Sequence, residues 1–457
     1  MNLLLINADQ LRHDCVGYRG IRPVKTPNLD KLAGEGCAYT RAFSPLPVCA
    51  PARQAILSGR HPDSFGAFWN YDMFSTPTVQ PEWCWTKALP GRGYQTAYLG
   101  RFHVSPDRVP ADFGYETHIS WAGHKALLAE KYPNVAYKGG WFGEINPVPV
   151  CDSGTHWMAD RACETIRSFA EAGKPWHIWV DYEEPHLPCR PSEPFASMYA
   201  PKDIAPWDGF DDAFIQKPYC HRQQMMNWEL DGITWPEVAP MVARYYALIS
   251  QLDDAIGRIL DALDATGQAN DTIVAFTSDH GDLCGAHRML DKHYVLYDDT
   301  VRVPLIVRYP GEQPWICDSF VENSLDLPAS FVKWFALDAP DVAHGRALPL
   351  SAASDTSPRR AVVSSANGQQ FGFFNSRMLR DDRYKYVWNL TDIDELYDLQ
   401  SDPGELCNLI ADTAYAQRIS DMRRLLRDEL ITHGDRFAAS GWLEKQLLEN
   451  KKHILRA

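Results

Sequence analysis

No Cys-x-x-Cys pair occurs among the eleven cysteines, and their odd count and irregular spacing offer neither a disulfide framework nor a zinc site. Cysteine usage of this kind points to a reducing compartment. No apolar run reaches the length of about eighteen residues that reads as a membrane helix. Met1-Asn2 leads straight into Leu3-Leu-Leu-Ile6 without the basic start of a secretory leader. A cytoplasmic location with no membrane partner is therefore expected. Positive charge is also scarce. Lys and Arg number 45 against 59 Asp and Glu, for a net charge of −14, which excludes non-specific binding to nucleic acid. An anionic substrate would have to be drawn by a local cationic pocket working against that global field. There is no internal repeat and no low-complexity segment. What remains is a globular composition, 45% hydrophobic and 23% charged over 457 residues. That is long for one core, and one large domain with a smaller companion is expected.

Apolar runs of strand length end in polar residues that look chemical. Leu3 to Ala8 ends in Asp9-Gln10, Trp176 to Val180 in Asp181, with Pro185-His186 shortly after, and Thr272 to Thr277 in Ser278-Asp279-His280. Val303 to Tyr309 is a further buried run. Runs apolar on both faces predict a central, mostly parallel sheet covered by helices, with ligands bound beyond the carboxyl ends of its strands. A stripe of Leu and Ile from Val242 to Ala265, stopped by Gly267, predicts a covering helix. Residues 186–240 are rich in Pro, Trp and Asp without periodicity and read as an excursion over the site; Trp207, Trp228 and Trp235 are candidate apolar walls. Loop composition around 338–360 separates a domain over 1–355 from a C-terminal α+β subdomain over 356–457. Short strands are expected there at Ala361–Ser365, Gly372–Asn375, Ser376–Arg380 and Tyr384–Asn389, then a helix from Ala414 to Thr432. Apolar residues in the tail from Gly441 to Ala457 suit packing on a neighbour, as in a homo-oligomer.

The most informative stretch is Cys49-Ala-Pro-Ala-Arg-Gln-Ala-Ile-Leu-Ser-Gly-Arg60. Pro51 suits the first turn of a helix, where its missing N–H costs nothing. Cys49 would then sit at the positive helix end, with Arg53 one turn on, on the same face. A cysteine is ordinarily a small buried hydrophobe. A Cys-based phosphatase, which needs Arg six positions later, is excluded by Ala55. At the other strand ends, two carboxylates and an imidazole, Asp9, Asp279 and His280, suit a divalent cation of the calcium, magnesium or manganese kind, the imidazole leaning toward manganese. Taken singly, each is ordinary turn or cap chemistry.

In order along the chain stand Asn7-Ala-Asp-Gln-Leu-Arg, Thr26-Pro-Asn-Leu-Asp, the Cys49 string, Gly100-Arg-Phe-His, Glu184-Pro-His-Leu-Pro, Thr277-Ser-Asp-His-Gly, Lys292, and Glu395-Leu-Tyr-Asp-Leu with Asp402-Pro-Gly-Glu. This ordered set resembles the type I, formylglycine-dependent sulfatases of the alkaline phosphatase superfamily. Gln10 and Asn70 are also similar to its phosphonate monoester hydrolase branch. The resemblance implies an alkaline phosphatase-like fold and a Cys49 oxidised to formylglycine by a formylglycine-generating enzyme. It also implies one divalent metal ion, Ca2+ or Mn2+, on Asp9, Asp279, His280 and residue 49, with Gln10 a further candidate ligand where sulfatases commonly carry Asp. Arg53 would hold the aldehyde hydrate, His103 would be its base, and His186 and Lys292 would contact the transferred group and leaving oxygen. Arg101 keeps the charge of the usual Lys but not its shape. Asn70 would contact the substrate. The implied reaction is hydrolysis of a small anionic sulfate ester. Phosphonate monoester or phosphodiester hydrolysis at the same site is the alternative, and a catalytically silent anion-binding protein the remote one.

Overall fold

The computed structural model describes residues 1–338, 344–355, 357–369 and 372–450. Eight strands form the large sheet: β1 Asn2–Asp9, β2 Cys37–Phe43, β3 Gln95–Gly100, β4 Thr117–Ile119, β5 Trp176–Pro185, β6 Thr272–Ser278, β7 Arg302–Arg308 and β8 Trp315–Glu322. Their spatial order is β4-β3-β5-β1-β6-β7-β2-β8. Only β7 runs against the rest, pairing antiparallel with β6 and β2. β1 lies between β5 and β6, so Asn7 sits beside Asp181 on one side and Thr277 on the other. The alternation of β1 explains why it must be central. Leu4 and Ile6 feed the core under helices Gly154–Ala172 and Trp235–Ala265, while Leu3 and Leu5 feed the opposite core with Ile56, Leu57 and Phe331. All four side chains are fully buried, each worth roughly 1.5–3 kcal/mol of transfer free energy.

The predicted strands and the sheet are present, with two corrections nearby. The helix expected from Val242 begins at Trp235 and runs 31 residues to Ala265. Pro236 and Pro240 read as breakers in sequence. The first falls in the opening turn, where its lost donor is free, and Glu237 accepts from Thr234 N at 2.8 Å to close a capping box. The excursion also carries a helix, Tyr219–Asn227, whose apolar residues lack a sustained stripe.

The small antiparallel sheet is β9 Val362–Ala366, β10 Ser376–Arg380, β11 Tyr384–Asn389 and β12 Glu395–Asp398, in the order β12-β11-β10-β9. Helix Ala416–Thr432 covers it, with Ile419, Met422, Leu426 and Leu430 packed among Val363, Leu379, Tyr386 and Trp388. Residues Gly372–Asn375 are not a strand: Gly372 makes only an isolated bridge to Gln369. Residue 356, where the subdomain was expected to start, lies outside the described residues, as do Ile454 and Leu455 of the tail. Leu447 of helix Gly441–Glu449 is buried in the subdomain's own core, whereas Trp442 is 86% exposed. No helix among the described residues is long and apolar enough to cross a membrane.

Candidate active site

The chemistry gathers at the carboxyl edge of the large sheet, where β1, β3, β5 and β6 end and helix Cys49–Ser58 begins. Gly100 permits the closest approach there: a Cβ on it would stand 1.9 Å from the carbonyl oxygen of Asp181, at φ +113. The helix is buried along its whole length, and Pro51 sits in its first turn. Val48, its N-cap, supplies no side-chain bond. Asn70 does so instead, its Oδ1 accepting from Ala50 N at 2.9 Å. Cys49 is thus fixed at the positive helix end. Its Sγ lies 3.2 Å from His280 Nε2 and 3.7 Å from Asp9 Oδ1. Burial opposes ionisation of the thiol, but Lys292 and His280 outweigh it and hold Cys49 well below the usual thiol range.

Arg53 does not point at the nucleophile. It donates from Nε to Asp181 at 2.8 Å, from Nη2 to Asp9 and Asp181 at 3.1 Å each, and from Nη1 to Asp279. All four side chains are buried. Its place one turn after Cys49 sets the guanidinium behind the carboxylates, organising them rather than reaching past them.

Ligand atoms of Asp9, Cys49, Asp279 and His280 all lie within 4.8 Å of one another. His280 donates from Nδ1 to the Gly281 carbonyl at 2.9 Å, which leaves Nε2 aimed at the sulfur and both carboxylates. Burial and then the Asp9 charge push Asp279 up to about 6, while burial of His280 is outweighed by Asp279 and Cys49, which raise it to about 9. The centre by itself therefore retains protons in the place of a cation. Two hard oxygen ligands, an oriented imidazole and residue 49 fit a divalent ion. Gln10, in the left-handed region at φ 71, accepts at Oε1 from Lys292 Nζ at 3.0 Å, and its Nε2 is buried without a hydrogen-bond partner among the described residues.

Lys292 is buried and ionised. Burial opposes the charge, but Asp291 at 2.9 Å, Cys49 and Asp9 raise its pKa. It donates to His186 Nε2 at 2.8 Å, and His186 donates from Nδ1 to the Leu187 carbonyl at 2.6 Å. Arg101 donates to Asp9 at 3.1 Å and is partly exposed. His103 is buried against Tyr71, with Nε2 3.5 Å from Asp72.

Two cavities diverge from His186. One, of 710 Å³, includes Asn70, Asp72, Trp141, Trp228, Glu229, Lys292 and Gln369. The other, of 580 Å³, includes Arg101, His124, Lys125, Glu184 and Arg190. Of the expected tryptophan walls only Trp228 lines one of these two cavities. Trp207 is 3% exposed, stacks under Arg12 and donates to the Cys284 carbonyl at 2.8 Å; Trp235 packs edge-on against it. Both are core anchors.

Sequence reasoning missed Asp181 as the main partner of Arg53, although the residue ends the apolar run of its strand as Asp9 ends that of β1. Asp291, beside Lys292, and Gln369, which accepts from Asn70 N at 3.4 Å, carried no motif. All eleven residues singled out nevertheless lie in or around one centre.

Residues 1–337 match the family model "Sulfatase", and residues 285–431 match "N-sulphoglucosamine sulphohydrolase, C-terminal". The chain is 28% identical to the arylsulfatase of Clostridium perfringens, over 94% of each chain. It is 27% identical to the multifunctional alkaline phosphatase superfamily protein PehA of Trinickia caryophylli, over 99% of each. Its fold is similar to that of a phosphonate monoester hydrolase from Silicibacter pomeroyi, at a TM-score of 0.82 and 22% identity, over 95% of this chain and 96% of that one. Motif order, site and match thus agree: the chain belongs to the sulfatase family of the alkaline phosphatase superfamily, and as such is a sulfuric ester hydrolase.

Proposed function

We propose that residue 49, oxidised from cysteine to formylglycine during maturation, is the nucleophile of sulfate-ester hydrolysis. The observation that carries this reading is the convergence of Cys49 with Asp9, Asp279 and His280 at a helix N-terminus, with the Lys292–His186 pair alongside. A divalent ion on those residues, Ca2+ or Mn2+, would lower the pKa of a coordinated hydroxyl and offset charge on the transferred group. The chain's own residues do the rest. Arg53 keeps Asp9 and Asp279 oriented as ligands. The helix end, Arg101 and Lys292 present positive charge to the ester's oxygens. Lys292, sharing a proton with His186 Nε2, protonates the departing alcohol oxygen. His103 takes the proton whose removal restores the aldehyde and releases sulfate. An unmodified Ser or Cys has no such exit.

The test is mass spectrometry of the peptide bearing residue 49 in protein produced with a formylglycine-generating enzyme, paired with rates on an aryl sulfate. Thiol replaced by aldehyde, with sulfate release, is expected. Cys49→Ala should fall below about a hundredth of the parent rate, beyond what acid–base assistance alone leaves. Aldehyde without turnover of any ester would refute hydrolysis and leave an anion-binding protein. The second reading is hydrolysis of phosphonate monoesters or phosphodiesters. Gln10 favours it, since an amide beside Asp9 removes one negative charge from the centre. An aryl phosphonate ester turned over faster than the aryl sulfate would decide for it.

A further inference from the structure

The 710 Å³ cavity has a composition at odds with an anionic substrate. Its floor is Lys292 with His186, the pair assigned above to the leaving oxygen, so the alcohol half of an ester departs into this cavity rather than the other. Along its walls stand carboxylates. Glu229 is exposed and makes no ion pair among the described residues, and Asp72 is half-exposed, 3.5 Å from His103 and within the field of Arg101. Asp291 is spent on Lys292. Against them stands the single ammonium of Lys292. In the same cavity Trp141 and Trp228 meet edge to face, with centroids 5.7 Å apart and planes at 86°. Trp141 is 56% exposed, which leaves part of its ring open to a ligand.

Two roughly perpendicular indoles beside an unpaired carboxylate offer a π-face and a counter-charge to one cation. We infer that this cavity selects esters of a cationic alcohol, of the quaternary ammonium kind, so that the substrate is a zwitterion: its sulfate meets Lys292 and the helix end, and its cation meets Trp141, Trp228 and Glu229. The inference rests on the hydrolase reading above. It also explains how a chain of net charge −14 admits an anion past an acidic rim, because a zwitterion carries its own compensation. The neighbouring 580 Å³ cavity is mixed in charge, with Arg101, Lys125 and Arg190 set against Asp152, Glu183 and Glu184.

The experiment compares kcat/KM for three sulfate esters of similar length: that of choline, that of its uncharged isostere neohexyl alcohol, and that of a hydroxycarboxylic acid. The choline ester should exceed the neohexyl ester by about tenfold, the product of two exposed cation–π contacts. The anionic ester should be the slowest. Glu229→Gln and Trp228→Leu should each cut the choline-to-neohexyl ratio at least by half, and added salt should erode the part due to Glu229. The ratio is independent of how much enzyme is folded or modified. Equal rates on the choline and neohexyl esters, or a preference for the carboxylate, would overturn the inference. Quenching of tryptophan fluorescence by choline is a second, catalysis-free readout. If no ester is hydrolysed but choline still binds, and binds more weakly to Glu229→Gln, the cavity inference stands and the hydrolase reading falls.

Discussion

Asp181→Asn is the substitution that bears most directly on how the centre is held. Asp181 is buried and accepts four hydrogen bonds: from Arg53 Nε at 2.8 Å and Nη2 at 3.1 Å, from Asn7 Nδ2 at 2.8 Å, and from the Tyr98 hydroxyl. The amide keeps the shape but removes the charge, leaving the Arg53 guanidinium with one counter-charge fewer in a site without water access. Breaking one partner out of a buried ion pair costs about 3–5 kcal/mol. With an unfolding entropy of about 2.1 cal/mol/K per residue, a chain of this size loses roughly 1 °C of Tm per kcal/mol, so a fall of about 3–5 °C is expected. A second effect separates this from ordinary destabilisation. Arg53 retains only Asp9 and Asp279, the candidate metal ligands, and will compete harder for them. The gain in Tm on adding Ca2+ or Mn2+ should therefore shrink in the variant. Differential scanning calorimetry with and without metal reads both quantities. A Tm within 1 °C of the parent, and an undiminished metal effect, would show that Arg53 is not what holds the carboxylates.

Glu184, at the 580 Å³ cavity, is pushed up to about 8 by burial and then by Glu183. The folded state thus binds its proton more tightly than the unfolded chain. Stability from this group is lost as pH rises from about 4.5 toward 8 and then levels off, so Glu184→Gln should be relatively more stable at pH 9 and should flatten the slope of Tm against pH; an unchanged slope would exclude the group. Trp207→Ala should cost about 3–5 kcal/mol, as a large core deletion does, whereas Trp228→Ala should cost less and alter leaving-group preference. Equal losses in thermal denaturation would mean that both are core.

Most of the fold was legible because the large sheet is built from runs that alternate between two buried faces. β1, β6 and β7 could be placed within a residue or two for that reason, whereas β5 continues to Pro185, five residues past the apolar run. The failures have local causes. Pro236 and Pro240 hid the first seven residues of the helix that starts at Trp235, since a proline's effect depends on which turn it occupies, and sequence alone does not say where a helix begins. The aromatic residues of the excursion were ambiguous in kind: an indole suits a cavity wall and a core equally, and for Trp207 it is the stacking of Arg12 over its ring that decides.

The centre was legible as a set of residues but not as a distribution of charge, and that distribution carries a consequence. Asp9, Asp181, Asp279 and Asp291 face Arg53, Arg101 and Lys292, one formal negative charge in excess once residue 49 is an uncharged aldehyde and the histidines are neutral. Arg53, expected to hold the aldehyde hydrate, is hydrogen-bonded to three of those carboxylates. What is left for an anionic ester is Lys292, the outer part of Arg101 and the helix end, set against Asp9 and Asp279. That balance offers an anion no net attraction unless a proton on His280 or a cation offsets it. A divalent cation on Asp9 and Asp279 reverses its sign to one net positive charge. Gln10 in place of a second aspartate makes the reversal complete: with a carboxylate at that position, the same cation would bring the site only to neutrality. With His280 neutral, attraction of the ester is on this account conditional on the cation, so the ion holds the ester in place before it takes part in chemistry. Exchanging Gln10 for Asp should weaken the ester and strengthen the metal together.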